Sequence, residues 1–185
     1  MARVLIPLAN GFEDIEAIAV IDVLRRGGVE VVTASVHDTL EVRSAHGVHL
    51  MADALFANTE RLAYDAIVLP GGGEGTENLK RTEGLFERLR RQHAEGKLLC
   101  AICAAPTVLV EAEVLEPETQ VTCYPTCQME LDREWSPAPV VVDGGFITGQ
   151  APGAATLFAL VILQTLSGEP TARKVARGMV TDVLG

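Results

Sequence analysis

Cys103 stands where a short apolar run, Leu98–Ile102, gives way to the small residues Ala104 and Ala105 and then Pro106. Proline in a first helical turn costs no hydrogen bond, because the N–H it lacks would have no partner there. A side chain on so sharp a strand-to-helix turn is pushed out at the top of its sheet. This is the physics of a nucleophile elbow, with sulfur in place of a hydroxyl. The positive end of the following helix is expected to lower the thiol pKa and enlarge the thiolate fraction at neutral pH. The chemistry open to such a sulfur is nucleophilic addition or stepwise oxidation.

Glu16 is the natural acid/base partner. On a helical wheel for Glu13–Arg26, Ala17, Val20, Ile21 and Leu24 form an apolar face, extended by Ala19 and Val23. Asp14, Asp22, Arg25 and Arg26 fall opposite. Glu16 lies between Val20 and Val23 on the apolar face, where desolvation is expected to raise its pKa. A carboxyl group so placed is a functional-site candidate. The Gly71-Gly72-Gly73 run lets a backbone N–H approach a ligand closely. Paired with the N–H of Ala104, it could form an oxyanion hole. A phosphate cradle is the other use of such a loop, but the spacing fits neither the P-loop nor G-x-G-x-x-G.

The remaining candidates carry less. Cys100-x-x-Cys103 has thioredoxin-like spacing, yet Cys100 falls inside a strand and reads as core. Cys123 and Cys127 have no histidine-rich neighbourhood to complete a metal site, and Cys127 could act as a resolving thiol. His37, His46, His49 and His93 are scattered. No metal and no cofactor is expected.

These residues need a scaffold that brings three loops together. Val4–Leu8, Val29–Ala34, Ala66–Leu69 and Leu98–Ile102 are short apolar runs rich in β-branched residues, and helical patterns separate them. Helices are expected over Glu13–Arg26, Glu83–Ala94, Ala104–Val110, Ala154–Leu166 and Thr171–Arg177. Val140–Val142 and Phe146–Thr148 read as a hairpin, and Leu40–Arg43 with Val48–Met51 as a small antiparallel excursion. Strand-helix-strand alternation in one domain spanning residues 1–185 means an α/β doubly wound, mostly parallel sheet with helices on both faces. In such sheets ligands bind outside the carboxyl ends of the strands. There the loops at residues 9–16, 70–73 and 103–106 should converge.

The 185 residues carry a formal net charge of −10. An acidic surface repels phosphate backbones and anionic lipid, so neither nucleic acid nor membrane is an expected partner. The most apolar segment, Ala154–Leu166, falls short of the roughly 20 residues that span a bilayer. With no export signal, the cysteines are expected reduced and the protein cytoplasmic.

Glu13-Asp14-Ile15-Glu16, Val68-Leu69-Pro70-Gly71-Gly72, Ala101-Ile102-Cys103-Ala104-Ala105-Pro106-Thr107 and Gln150-Ala151-Pro152-Gly153 occur in this order. Together they resemble the ThiJ/PfpI family, in its DJ-one-like branch around the parkinsonism-associated deglycase. The resemblance implies one flavodoxin-like domain of the class I glutamine amidotransferase-like kind, and a homodimer. It implies an oxidation-sensitive Cys103 and a protonated Glu16 hydrogen-bonded to its sulfur, with oxyanion-hole amides on Gly72 and Ala104. It also implies cofactor-independent glyoxalase or deglycase activity on 1,2-dicarbonyls such as methylglyoxal. The alternative is a non-catalytic thiol sensor or chaperone-like protein of oxidative stress, using Cys103 oxidation to sulfinic acid.

One departure bears on mechanism. Glyoxalase-active relatives carry a histidine in a Val-Thr-x-His-Pro segment, and Tyr124 holds that position here. A phenol of pKa about 10 is a poor general base at neutral pH, though it donates hydrogen bonds. His46, reaching in from a partner subunit, is the substitute considered. Peptidase activity would need a Cys–His pair and is not expected.

Overall fold

The central strands of the sheet read as nearly continuous apolar runs because both faces are covered there. The computed structural model describes residues 1–131 and 135–181. The strands are β1 (Arg3–Leu8), β2 (Glu30–Ser35), β3 (Glu41–Arg43), β4 (His49–Met51), β5 (Ala54–Leu55), β6 (Ala66–Leu69), β7 (Leu98–Ile102), β8 (Val140–Asp143) and β9 (Phe146–Gly149). The helices are α1 (Asp14–Arg26), α2 (Gly73–Lys80), α3 (Leu85–Ala94), α4 (Pro106–Glu111), α5 (Gln128–Leu131), α6 (Ala155–Ser167) and α7 (Glu169–Gly178). Side chains alternate across a strand with period two. Val4, Ile6, Val68, Cys100 and Ile102 therefore enter the core beneath α1, α6 and α7. Leu5, Ile67, Leu69, Leu99 and Ala101 enter the opposite core, beneath α3 and α4.

The seven-stranded sheet runs β5-β2-β1-β6-β7-β9-β8, parallel except for β8 on β9, and β3 pairs separately with β4. This is the flavodoxin-like α/β architecture expected. The chain order reverses direction between β1 and β6, and in sheets of this kind ligands bind at such a point, beyond the carboxyl ends of the strands. Helix α6 is the sturdiest support: Phe158, Leu160, Ile162 and Leu163 are all fully buried. Each such side chain is worth about 1.5–3 kcal/mol in apolar area removed from water. Among the described residues no helix is long and apolar enough to cross a membrane.

The expected elements fall within a few residues of those found, with three additions, α2 and the short β5 and α5, and one shift. Helix α2 begins inside the glycine run, at Gly73, in a stretch whose glycines and polar residues hid its helical period. The helix after Cys103 starts at Pro106 rather than Ala104, so Ala104 and Ala105 belong to a turn. That shift changes the electrostatics of the elbow.

Candidate active site

Cys103 sits at φ 65°, a left-handed conformation that only two other non-glycine described residues share. Such a backbone costs of order 1–3 kcal/mol and persists where its surroundings over-determine it. Here they do. The Cys103 N–H donates to Gly149 O at 2.9 Å, and its carbonyl accepts from Tyr124 N at 2.7 Å. The residue is buried, with 8% of its surface exposed, against none for Cys100.

Glu16 comes to the same spot from α1. Its N–H is capped by the Glu13 carboxylate at 2.8 Å, which ends the chain's approach and starts the helix. The Glu16 side chain is completely buried, and its Oε2 accepts from Gly71 N at 2.8 Å. Gly71 is the spacer between the two functional groups. A Cβ there would lie 2.7 Å from both Cys103 Cβ and Glu16 Oε2. The other carboxyl oxygen, Oε1, is buried without a well-formed hydrogen bond. The Cys103 thiol is the side chain that interacts with this carboxyl.

The amides of Gly72 and Ala104 both reach the Cys103 sulfur. The three predicted loops thus converge: Glu13 N donates to Gly71 O at 2.9 Å, and Gly75 N to Gly11 O at 3.1 Å. Burial pushes Glu16 up to about 7, against hydrogen bonds from Cys103 and Gly71 that pull it down. Burial and the adjoining Glu16 carboxylate push the Cys103 thiol up to about 12, opposed by the two amides. The direction for the thiol is the reverse of that expected from the sequence. Helix α4 is short and begins three residues beyond the sulfur, so its dipole is weak there and desolvation outweighs it. The two groups titrate as one unit. Their first proton leaves near 7, and the second is held to about 12.

The folded protein therefore keeps on Glu16 a proton that the unfolded chain releases from its ordinary 4.5 upward. Where the native state binds more protons, stability falls as pH rises, here between about 4.5 and 7. At 1.36 kcal/mol per unit the loss is on the order of 3 kcal/mol. Urea unfolding at pH 5 and pH 7.5 should show this loss in the wild type and a much flatter profile in Glu16→Gln. Equal pH dependence in the two proteins would contradict a proton-holding Glu16.

The auxiliary candidates behave differently. Tyr124 is brought to the elbow by its backbone, while the residue as a whole is 42% exposed. Among the described residues no hydrogen bond joins its hydroxyl to Cys103 or Glu16. His46 is not brought to the sulfur within the chain. It lies in the β3–β4 turn, exposed, with Nδ1 2.8 Å from Asp14 Oδ2. Glu13, Asp14 and His46 present ligand atoms within 4.8 Å of one another. Glu13 is occupied as the α1 cap and Asp14 by Ser44 and His46, so no metal is assigned. Cys100 is core, as expected, and burial drives its thiol upward. Sequence reasoning missed Gly71 as the anchor of the Glu16 carboxyl, although the glycine run signalled a close approach. It also missed the Asp14–Ser44 bond, for which the sequence holds no signal.

Fold and site together define a flavodoxin-like α/β protein with a cysteine elbow and a buried carboxyl group against the sulfur. The profile of the DJ-1/PfpI family matches residues 2–165, and the chain belongs to that family. It is 36% identical over 179 residues to protein dj-1beta of Drosophila melanogaster, covering 95% of each chain. It is 34% identical over 170 residues to the glutathione-independent glyoxalase DJR-1.2 of Caenorhabditis elegans, covering 90% of this chain and 89% of that one. It is also 36% identical to two Arabidopsis thaliana DJ-1 homologues, B and A, of which it spans only 41% and 45%. Among solved structures, oxidized Toxoplasma gondii DJ-1 superimposes with a TM-score of 0.94 at 36% identity, covering 98% of this chain and 99% of that one.

Proposed function

We propose that the protein is a cofactor-independent enzyme converting 1,2-dicarbonyls such as methylglyoxal to 2-hydroxy acids. The observation that carries this reading is the meeting of the Cys103 sulfur, the buried Glu16 carboxyl and the Gly72 and Ala104 amides at one strained turn. In the reactive form the single shared proton sits on Glu16 Oε1 and the sulfur is the thiolate. That tautomer gives Oε1 the hydrogen bond it otherwise lacks and aims a donor at the anion.

The thiolate attacks the aldehyde carbon, forming the C–S bond and placing negative charge on the aldehyde oxygen. The backbone amides lie where that oxyanion develops. Glu16 gives the oxyanion its proton, and the hemithioacetal forms. The Glu16 carboxylate next removes the proton from the former aldehyde carbon and returns it to the adjacent carbon. The hydroxyl proton of the hemithioacetal passes to the ketone oxygen in the same isomerisation, so the ketone becomes a secondary alcohol and the sulfur-bearing carbon becomes a thioester carbonyl. Water hydrolyses the thioester, releasing lactate and the thiolate, so one dicarbonyl and one water give one hydroxy acid. A carboxyl group poised near 7 suits both halves of this shuttle. With Tyr124 in the position of the relatives' histidine, turnover is slow.

Lactate appearing from methylglyoxal without added thiol, above the buffer rate, is the expected result. Its absence would overturn the enzyme reading. A second reading rests on the same sulfur, shielded yet 8% exposed beside an acid. It is a stress sensor in which peroxide adds oxygens to Cys103, with Glu16 donating to the resulting sulfinate. Peroxide oxidation confined to Cys103 without lactate formation would favour it. The name of the Caenorhabditis relative supports the enzyme reading, and the oxidized form of the Toxoplasma one supports the sensor reading.

We also infer a homodimer. Ile15 and Ile18 on α1 and Val48 and Met51 around β4 are exposed apolar residues. The β3–β4 hairpin is fastened to the start of α1 by Ser44 and His46 on Asp14, so both elements belong to one region of the surface. Exposed apolar surface of this kind marks an association site. Ile18→Asp should shift sedimentation from dimer to monomer. A wild type that sediments as a monomer would remove the inference.

A further inference from the structure

Three cysteines lie within one loop's width of the elbow, and the proposed reaction uses one. The other two flank Tyr124, whose N–H holds the Cys103 carbonyl. Cys123 Sγ lies 3.2 Å from Tyr124 O, and the backbone N–H of Cys127 donates to the same oxygen at 2.8 Å. The 123 sulfur and the 127 nitrogen thus share a single acceptor, so they cannot be farther apart than those two distances laid end to end. Cys123 is fully buried, whereas Cys127 is partly open to solvent. A third group belongs to the same cluster. Trp135, the chain's one tryptophan, pairs with Val121 and turns its indole N–H toward Cys123. Among the described residues that buried N–H has no other hydrogen-bonding partner, which leaves it as a donor to the sulfur.

We propose that Cys123 and Cys127 form a redox-active dithiol that is oxidised to an intramolecular disulfide by low-molecular-weight disulfides. The order of events follows from exposure. The Cys127 thiolate attacks one sulfur of the oxidant, a mixed disulfide forms and one thiolate leaves. The Cys123 sulfur then attacks Cys127 Sγ from within, expelling the second thiolate, and the two protons given up by the cysteines end on the two leaving thiolates. One dithiol and one disulfide give one protein disulfide and two small thiols. The site is separate from the Cys103 chemistry and does not depend on it.

The test uses the full-length protein, glutathione disulfide as oxidant and alkylation of remaining thiols. Cleavage after Glu118 and Glu130 yields one peptide, Thr119–Glu130, that holds both cysteines and excludes Cys103. That peptide is expected to lose two hydrogen atoms in mass and to resist alkylation until reduced. Trp135 fluorescence should be quenched in step. Cys103→Ala should retain both changes, and Cys127→Ser should lose both. Thiols that stay free, a glutathione adduct that persists on Cys127, or a bond from either cysteine to Cys103 would each overturn the proposal. The wild-type mass alone decides the matter if a variant fails to fold.

Discussion

Replacing Cys103 by alanine should take lactate formation from methylglyoxal to the rate of buffer alone, a loss of at least about a thousandfold from any measurable turnover. No other described sulfur, the partly open Cys127 included, sits against the Glu16 carboxyl and the Gly72 and Ala104 amides. Cys100 is sealed inside the sheet, and Cys123 is fully buried beneath Tyr124. The variant should still fold. Alanine accepts the strained φ of 65° no worse than cysteine does, and the removed atom is small. Circular dichroism and urea unfolding check that premise, and a lactate assay reads the effect. Residual turnover within tenfold of wild type would mean that the sulfur is not the nucleophile, whatever its reactivity. Glu16 would sense the change too, because the thiol hydrogen bond that lowers its pKa would be gone.

Gly72→Ala should be the most destabilising single methyl group that can be added near the site. Gly72 has φ 93° and ψ 129°, a region essentially reserved for glycine. A Cβ there would lie 2.3 Å from Gly11 O, 2.8 Å from Glu13 N and 3.1 Å from Phe12 C. All three are backbone atoms held by the hydrogen bonds between the first two loops, so none can swing aside. Backbone strain of about 1–3 kcal/mol and overpacking of about 1–3 kcal/mol together suggest a loss of about 4 kcal/mol. For a chain of this size that is a drop of roughly 8–16 °C in Tm. Any activity should fall as well, since the Gly72 amide is one of the two that reach the sulfur. The neighbouring Gly73→Ala is the control. A Cβ at Gly73 meets nothing within 4 Å, and alanine is a better helix former at the start of α2. Thermal melts within a few degrees of each other for the two variants would refute the steric account.

The position of the elbow could be read from residues because it is a local matter. An apolar run, a cysteine, two alanines and a proline specify a strand, a turn and a helix without reference to anything distant. The buried face of Glu16 was equally legible, because a helical wheel needs only spacing. Helix α2 was not, since Gly73, Gly75 and the polar residues between Glu74 and Lys80 leave no apolar period. Its register is set by Gly72 and Gly75 packing on the Gly11 backbone, a contact across more than sixty residues. The sign of the Cys103 shift was missed for a related reason. The sequence shows the helix that follows a cysteine, but desolvation depends on what else covers the sulfur. Likewise, two cysteines four residues apart give no hint that they share the Tyr124 carbonyl.

From the order of its amino acids alone this protein's strands, its reactive turn and the inward side of its first helix follow, because periodicity and backbone stereochemistry act over a few residues. Only the assembled chain decided that Gly71 would stand between a sulfur and a carboxyl, that their shared burial would hold a proton near neutrality, and that Cys123 and Cys127 would meet at one oxygen. Those outcomes come from distances between segments far apart in the chain, and electrostatic and steric energies depend on such distances rather than on sequence separation.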